Sequence, residues 1–398
     1  MTPVLPGSTL GVMGGGQLGR MFVHAAQRLG YFTAVLDPDP HSPAGRVSHH
    51  HVQTDYTDPQ GLAQLAQVSA AITTEFENVP AQALEQLARS RPVAPGAACV
   101  AIAQDRIEEK AHFSACAALS GVDCAPYAVI RSAADCQGAS AELLPGILKT
   151  ARLGYDGKGQ WRVRTHEELA QAWAQSGQVP CVLEKMLPLV AECSVLLARG
   201  HDGQTVSYPA QRNVHVGGIL AVTHAYPGCL PTDLAERAQA ATAAIASQIG
   251  YVGLLCIEFF VVQGPKGLTL VVNEMAPRPH NSGHHTIDAF DHSQFDLQVH
   301  AMTGLPLPTP RQHSPALMLN LLGDVWFDAQ GRERTPDWAQ VLSLPGTHLH
   351  LYGKTEARRG RKMGHLTLTG PDLPAVQASA RKCAALLGLS GLDDLSAA

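Results

Sequence analysis

A strand, a glycine turn and a helix stand in immediate succession near the start of the chain, and no other feature restricts its fold so much. Residues 8–13 (STLGVM) are an apolar run, and Gly14-x-Gly16-x-x-Gly19 follows. Residues 20–29 carry helix-compatible spacing, and 33–37 (TAVLD) form a second apolar run that ends at Asp37. A strand that turns through glycine into a helix and returns as a strand belongs to a parallel α/β sheet. A third apolar segment, 70–74, runs into TEFEN and extends the alternation, so a first unit of residues 1–100 is expected. The free N–H groups at such a helix start can hold an anion. Asp37 lies 18 residues past Gly19, close to where a dinucleotide fold places its ribose-binding acid. A phosphate site, a dinucleotide site and a bare steric turn are all compatible with this pattern.

The rest of the composition narrows the class. Of 398 residues, 45% are hydrophobic and 16% charged, which excludes a chain disordered in bulk. The longest apolar run, Val252 to Val262, is broken by Glu258, far short of the ~20 residues of a membrane span. A net charge of −5 from 29 basic and 34 acidic residues argues against nucleic acid or a membrane surface as partner. Met1 to Gly7 shows no leader pattern, and the nine cysteines form no C-x-x-C pair. A reduced, cytoplasmic chain is therefore expected, with small buried thiols.

Beyond residue 100 the organisation changes. Residues 101–145 are Ala-rich and read as mostly helical, 147–150 and 181–184 as short strands, 233–249 as a helix, and 254–262 and 268–272 as strands. The Pro-rich stretch 304–310 reads as a junction. It separates a central unit, 101–305, from a small C-terminal one, 306–398, with a basic loop and a terminal helix.

Three further motifs carry chemistry. In Gly154-Tyr155-Asp156-Gly157-Lys158-Gly159-Gln160 three glycines let backbone approach a polyphosphate, and Lys149 and Lys158 supply charge. Glu258 interrupts an apolar strand and Asn273-Glu274 ends the next. Carboxylates so placed need a partner, and two of them with an Asn are hard oxygen donors for Mg²⁺. Directly after, a proline-flanked loop presents Arg278, His280 and Asn281, and loops at strand ends are where catalytic groups collect. Lys354, Arg358, Arg359, Arg361 and Lys362 cluster against the single acid Glu356, which suits a small anion such as a phosphate ester. His49-His50-His51 lacks ligand spacing and reads as a strand-edge tract.

In order and wording these motifs resemble the ATP-grasp superfamily. Within it they resemble the 5-(carboxyamino)imidazole ribonucleotide synthase family: GGGQLGRM at 14–21, TTEFENVP at 73–80, GYDGKGQW at 154–161, NEMAPRPHNSGH at 273–284 and GRKMGHL at 360–366. The phrase GYDGKGQ with APRPHNSGH is the specific part. Many relatives carry Arg where Lys158 stands. The resemblance implies an N-terminal parallel α/β (pre-ATP-grasp) domain, a two-lobed α+β ATP-grasp domain and a small C-terminal domain packing back on the first, in a homodimer. It implies ATP and Mg²⁺ as cofactors, and bicarbonate and 5-aminoimidazole ribonucleotide as substrates. It also turns the first glycine loop into a cradle for the ribonucleotide phosphate.

The roles it implies are as follows. Arg106 and Lys149 contact ATP phosphates under a lid of residues 154–160. The backbone of Glu184, Lys185, Met186 and Leu187 meets the adenine, Glu192 the ribose, and His215 lies near the nucleotide. Glu258 and Glu274 hold Mg²⁺ with Asn273 assisting. Arg278, His280 and Asn281 face bicarbonate or carboxyphosphate. Gly16, Gln17, Leu18, Lys354, Arg361 and Lys362 grip the ribonucleotide phosphate, while Glu75 and Tyr155 border the imidazole. The rival readings are another ATP-grasp ligase acting with formate or biotin, an NAD-dependent dehydrogenase resting on residues 14–19 and Asp37, and a non-catalytic nucleotide-binding scaffold.

Overall fold

The computed structural model describes residues 2–154, 159–265 and 267–389. The N-terminal unit is a four-stranded, fully parallel sheet in the order His50–Val52, Phe32–Leu36, Thr9–Met13, Ala71–Thr74. Its central strands bury nearly every side chain, as parallel strands covered on both faces do. The helix Gln17–Arg28 opens directly from the glycine turn and packs Leu18, Met21 and Phe22 inward. The histidine tract lies on the edge strand, as its sequence suggested.

A second, antiparallel sheet of four short strands, Tyr127–Ile130, Cys181–Lys185, Gly146–Thr150 and Gln160–Val163, forms the small lobe of the centre. The third sheet has nine strands. It runs from Gly267–Ala276 through Gly253–Gly264, Leu189–Arg199, Gln211–Val216 and Ile219–Ala225, and continues into Ala316–Leu322, Lys362–Thr369 and Thr347–Leu351. Thr205–Ser207 pairs at its side. The C-terminal strands thus extend the central sheet through Val222↔Leu319 and its neighbours, while the stretch 304–310 between them is irregular.

Two expectations change. The segment 101–145 is not one helical block: after the helices Ala97–Gln104 and Arg106–Ser120 the β-favouring YAVI forms the strand Tyr127–Ile130. The strands between residues 189 and 225 carry inward polar residues that hide their alternation. Ser194, Gln211, Asn213 and Thr223 are all buried in one network: Asn213 Nδ2 and Gln211 Nε2 donate to Ser194 Oγ at 2.7 and 3.1 Å, and Thr223 Oγ1 donates to Asn213 Oδ1 at 3.1 Å. Buried polar groups persist when each finds a partner. Here the network also reaches Ser282, whose Oγ accepts from Ser194 Oγ at 2.9 Å, and so fastens the loop after residue 277 to the sheet.

The helix Gln294–Thr303 joins the N-terminal sheet to the central one. Gln298 Nε2 donates to Thr73 Oγ1 at 2.6 Å, its Oε1 accepts from the Leu254 amide, and Asp296 pairs with Arg28. All nine cysteines are free, eight of them buried. Among the described residues no helix is long and apolar enough to cross a membrane.

Candidate active site

The glycine turn is filled by the chain's own acids. The Gly15 amide donates to Asp37 Oδ2 at 2.7 Å, the Gly16 amide donates to Glu75, and the Gly19 amide donates to Glu75 Oε2 at 2.7 Å. Tyr56 Oη donates to the same Asp37 oxygen at 2.7 Å. The glycines are needed for this approach: a Cβ on Gly16 would lie 2.5 Å from Glu75 Oε1, and Gly14, at φ +104°, would meet Glu75 Cγ at 2.4 Å. Burial pushes the Glu75 carboxyl up while the two amides pull it down. Gly16 thus presents its amide to Glu75, and Asp37 holds the turn and Tyr56. Gln17 and Leu18, the first residues of the helix, do line a cavity of about 210 Å³ with Glu75, Phe76, His284 and Lys362.

A larger cavity of about 520 Å³ lies between the small lobe and the nine-stranded sheet. One wall is a knot of charge. Asp105 caps the helix Arg106–Ser120 through the Ile107 amide, at 3.0 Å, which sets Arg106 at its first position and Glu109 and Lys110 on the same face. Arg106 pairs with Glu184; Lys110 and Lys149 each reach Glu184 Oε2 at 3.3 Å. Burial would raise the Glu184 carboxyl, but the three cations hold it far below the usual range. Lys149 is brought down to about 8 by burial and by Arg106 beside it. Arg106 and Lys149 line this cavity with Gly154, Gly159, Gln160, Glu192 and His215. His215 Nδ1 lies 3.1 Å from Glu192 Oε2; burial would lower its pKa, but Glu192 raises it above the ordinary value.

None of residues 184–187, whose backbone the resemblance sets against the adenine, lines the cavity. Glu184 turns its carboxylate into the knot, Lys185 and Met186 give their amides to the Pro126 and Pro145 carbonyls, and both side chains are exposed. Tyr155, Asp156, Gly157 and Lys158 lie outside the described residues.

The opposite wall holds the paired acids. Glu258 and Glu274 stand directly across from each other on Gly253–Gly264 and Gly267–Ala276, and a bulge at Asn273 follows. That bulge lets Asn273 and Glu274 face one neighbour: Arg106 Nη2 donates to Asn273 Oδ1 at 3.3 Å, and Glu274 Oε2 lies 3.6 Å from Arg106 Nη1. Asn273 is thus engaged by Arg106 and lines the cavity beside Glu258 and Glu274. Burial, then the facing Glu274, pushes Glu258 up to about 8. Two carboxylates that repel each other at the floor of a cationic cleft fit a divalent ion, and Glu258 and Glu274 are the residues that would hold it.

The two cavities meet. Glu77, Arg278, His280, Asn281 and Lys362 line both. Arg278 pairs with Glu77, and its Nη1 donates to the Pro279 carbonyl at 3.1 Å. His280 Nε2 lies 3.5 Å from Glu258 Oε1, and burial and Arg278 hold its ring neutral. Asn281 is buried, and neither its Nδ2 nor its Oδ1 has a partner among the described residues. Lys354 Nζ donates to the Lys362 carbonyl at 2.6 Å, and Arg361 donates to the Glu356 carbonyl at 2.9 Å. Neither lines the cavities, whereas Lys362 lines both.

Glu77, Glu109 and Lys110 were missed in the sequence. The inward spacing of Arg106, Glu109 and Lys110 on an Ala-rich helix was the signal for two of them. Asp288, His350 and His365 also bring ligand-capable atoms within 4.8 Å of one another. The His350 and His365 rings are stacked at 4.5 Å and 11°, which keeps their lone pairs in parallel planes and makes this a packed column behind His284.

A phosphate-scale cationic cleft between an antiparallel lobe and a larger sheet, floored by paired acids, defines an ATP-grasp ligase. The ATP-grasp domain family matches residues 115–295, flanked by the ribonucleotide synthetase preATP-grasp domain at 8–104 and the phosphoribosylaminoimidazole carboxylase C-terminal domain at 316–379. The chain is similar to the N5-carboxyaminoimidazole ribonucleotide synthase of Brucella melitensis, 42% identical over 373 residues that cover 93% of this chain and 98% of that protein. The same-named Pseudomonas aeruginosa protein is 40% identical over 95% of this chain and 99% of its own length. The fold matches the Staphylococcus aureus N5-carboxyaminoimidazole synthetase complexed with ADP at a TM-score of 0.86, 35% identity, and 97% and 99% of the two chains. It matches the Aspergillus clavatus enzyme in complex with ADP and 5-aminoimidazole ribonucleotide at 0.83, 28% identity, and 96% and 98%. The chain belongs to the N5-carboxyaminoimidazole ribonucleotide synthase family.

Proposed function

We propose that this chain carboxylates the exocyclic amine of 5-aminoimidazole ribonucleotide with ATP and bicarbonate, as a cytoplasmic homodimer in purine biosynthesis. The observation that carries this reading is the junction of the two cavities, where Arg278, neutral His280 and the amide of buried Asn281, unpartnered among the described residues, converge. An anion made in the larger cavity meets there a nucleophile held in the smaller.

Bicarbonate is a poor electrophile. One of its oxygens attacks the γ-phosphorus of ATP, the bond to the bridging oxygen breaks, and ADP leaves carboxyphosphate. The amine nitrogen then bonds to the carbonyl carbon of that anhydride, or to CO₂ released from it. The bond to phosphate breaks, and the amine gives up a proton, for which released phosphate is an acceptor. Arg106 and Lys149 draw the ATP phosphates to the wall, and Glu192 and His215 stand on the nucleotide's side. Glu258 and Glu274 would hold a magnesium ion, which would supply charge to screen the phosphates. Arg278 and Asn281 hold and orient the anion, so that the chain acts by positioning and by fixed charge. Lys362, with Gln17 and Leu18, forms the phosphate end of the smaller cavity, and Glu75 borders the ring.

The test is ADP release by the purified chain with Mg²⁺-ATP and bicarbonate, with and without 5-aminoimidazole ribonucleotide. Strong stimulation with an acid-labile carboxylated product is expected. Turnover indifferent to the ribonucleotide, or stimulated instead by formate or biotin, would overturn the acceptor assignment.

A further inference from the structure

We infer that Glu77 is a positioning residue which holds Arg278 across the neck between the two cavities and so ties ATP cleavage to carboxylation. This rests on the functional reading above and adds to it a residue with no role there.

Glu77 and Arg278 come from different parts of the fold. Glu77 lies in the turn after the N-terminal strand Ala71–Thr74, and Arg278 follows the last strand of the central sheet, Gly267–Ala276. Their ion pair therefore crosses from one sheet to the other at the place where the cavities share a wall. The turn that carries Glu77 is itself tied down, because Gln104 Nε2 donates to both the Glu77 and the Val79 carbonyls.

The guanidinium is held on two sides. Its Nε is engaged by Glu77 and its Nη1 by the Pro279 carbonyl, while Nη2 has no partner among the described residues. A planar fork fixed along two edges presents its third edge in one direction only. Glu77 accordingly selects the orientation in which Arg278 can serve an anion at the neck. Without that charge, a flexible side chain recovers several rotamers and can fall into either cavity. Acyl phosphate formed in the larger cavity would then meet water before it met the amine.

The experiment compares wild type, Glu77→Gln and Glu77→Asp for two products, ADP and the carboxylated ribonucleotide, with folding checked by circular dichroism and ADP binding. In wild type the two are expected in near-equal amounts. In Glu77→Gln product formation is expected to fall further than ADP release, so that product per ADP drops at least fivefold. Glu77→Asp, which keeps the charge, is expected to recover part of that ratio. If Glu77→Gln lowers both products together and leaves their ratio at the wild-type value, Glu77 is only structural and the inference fails. If wild type itself shows no ribonucleotide-dependent ADP release, the functional reading fails first and takes this inference with it.

Discussion

The glycine turn and the central cleft handle anions in opposite ways. At residues 14–19 the chain offers backbone amides and at once fills them with its own Asp37 and Glu75. In the cleft it gathers Arg106, Lys110 and Lys149 about one acid, Glu184, and sets the facing acids Glu258 and Glu274 opposite. The first arrangement is closed by the chain's own acids, although Gln17, Leu18 and Glu75 also line the smaller cavity. The second leaves charge of both signs facing the cavity and serves a ligand. A glycine motif therefore says that close approach is needed, and the surplus or deficit of charge around it says whether that approach is to substrate or to self.

Five experiments break or sharpen this contrast. The largest effect belongs to the open site. Glu274→Gln removes one of the two facing carboxylates and is expected to lower ADP release at least a hundredfold. ADP release near the wild-type rate would sink the metal assignment.

The pH dependence of the open site comes next. Lys149, at about 8, is charged below that pH and neutral above it, so kcat/KM for ATP should decline as pH rises through about 8. Lys149→Arg should remove that inflection while leaving ATP turnover measurable. Glu258, at about 8, is protonated at pH 7 and must give up its proton when a cation binds. Calorimetry in buffers of different ionisation heat should record close to one proton released per Mg²⁺ at pH 7 and little at pH 9.5. Equal release at both values would remove Glu258 from the ligand set.

The closed site should respond in stability. Gly16→Ala drives a Cβ to 2.5 Å from Glu75 Oε1 and is expected to cost about 1–3 kcal/mol, read as a lower urea midpoint for the N-terminal unit. An unchanged midpoint would mean that Glu75 does not occupy the turn in solution. The smallest effect is a control: Asp291→Asn breaks an exposed pair with Arg311, 3.4 Å apart, and should shift the midpoint by less than about 1 kcal/mol.

Much of this was legible in the sequence where local pattern and tertiary role agree. The parallel N-terminal strands, the helix Thr232–Gln248 and the carboxylates that interrupt apolar strands are local facts that the fold leaves unchanged. The strands between 189 and 225 were not legible, because Ser194, Gln211 and Asn213 point inward and find their partners only across the sheet. The side-chain partners of Glu184 were hidden for a related reason. Its strand was visible, yet the three cations that capture its side chain come from residues 106, 110 and 149. Glu77 likewise has its meaning from a partner 201 positions away. What a sequence withholds here is which distant charge each acid meets.

The occupied glycine turn also bears on what this chain could become. A dinucleotide enzyme is not one substitution away. Removing Asp37 would strand the Gly15 amide and the Tyr56 hydroxyl, and removing Glu75 would strand two more amides, before any cofactor had arrived to replace them. Ancestry that shares the spacing G-x-G-x-x-G can therefore be separated by several unfavourable steps, and the same three glycines mark a vacancy in one lineage and a socket already plugged in another.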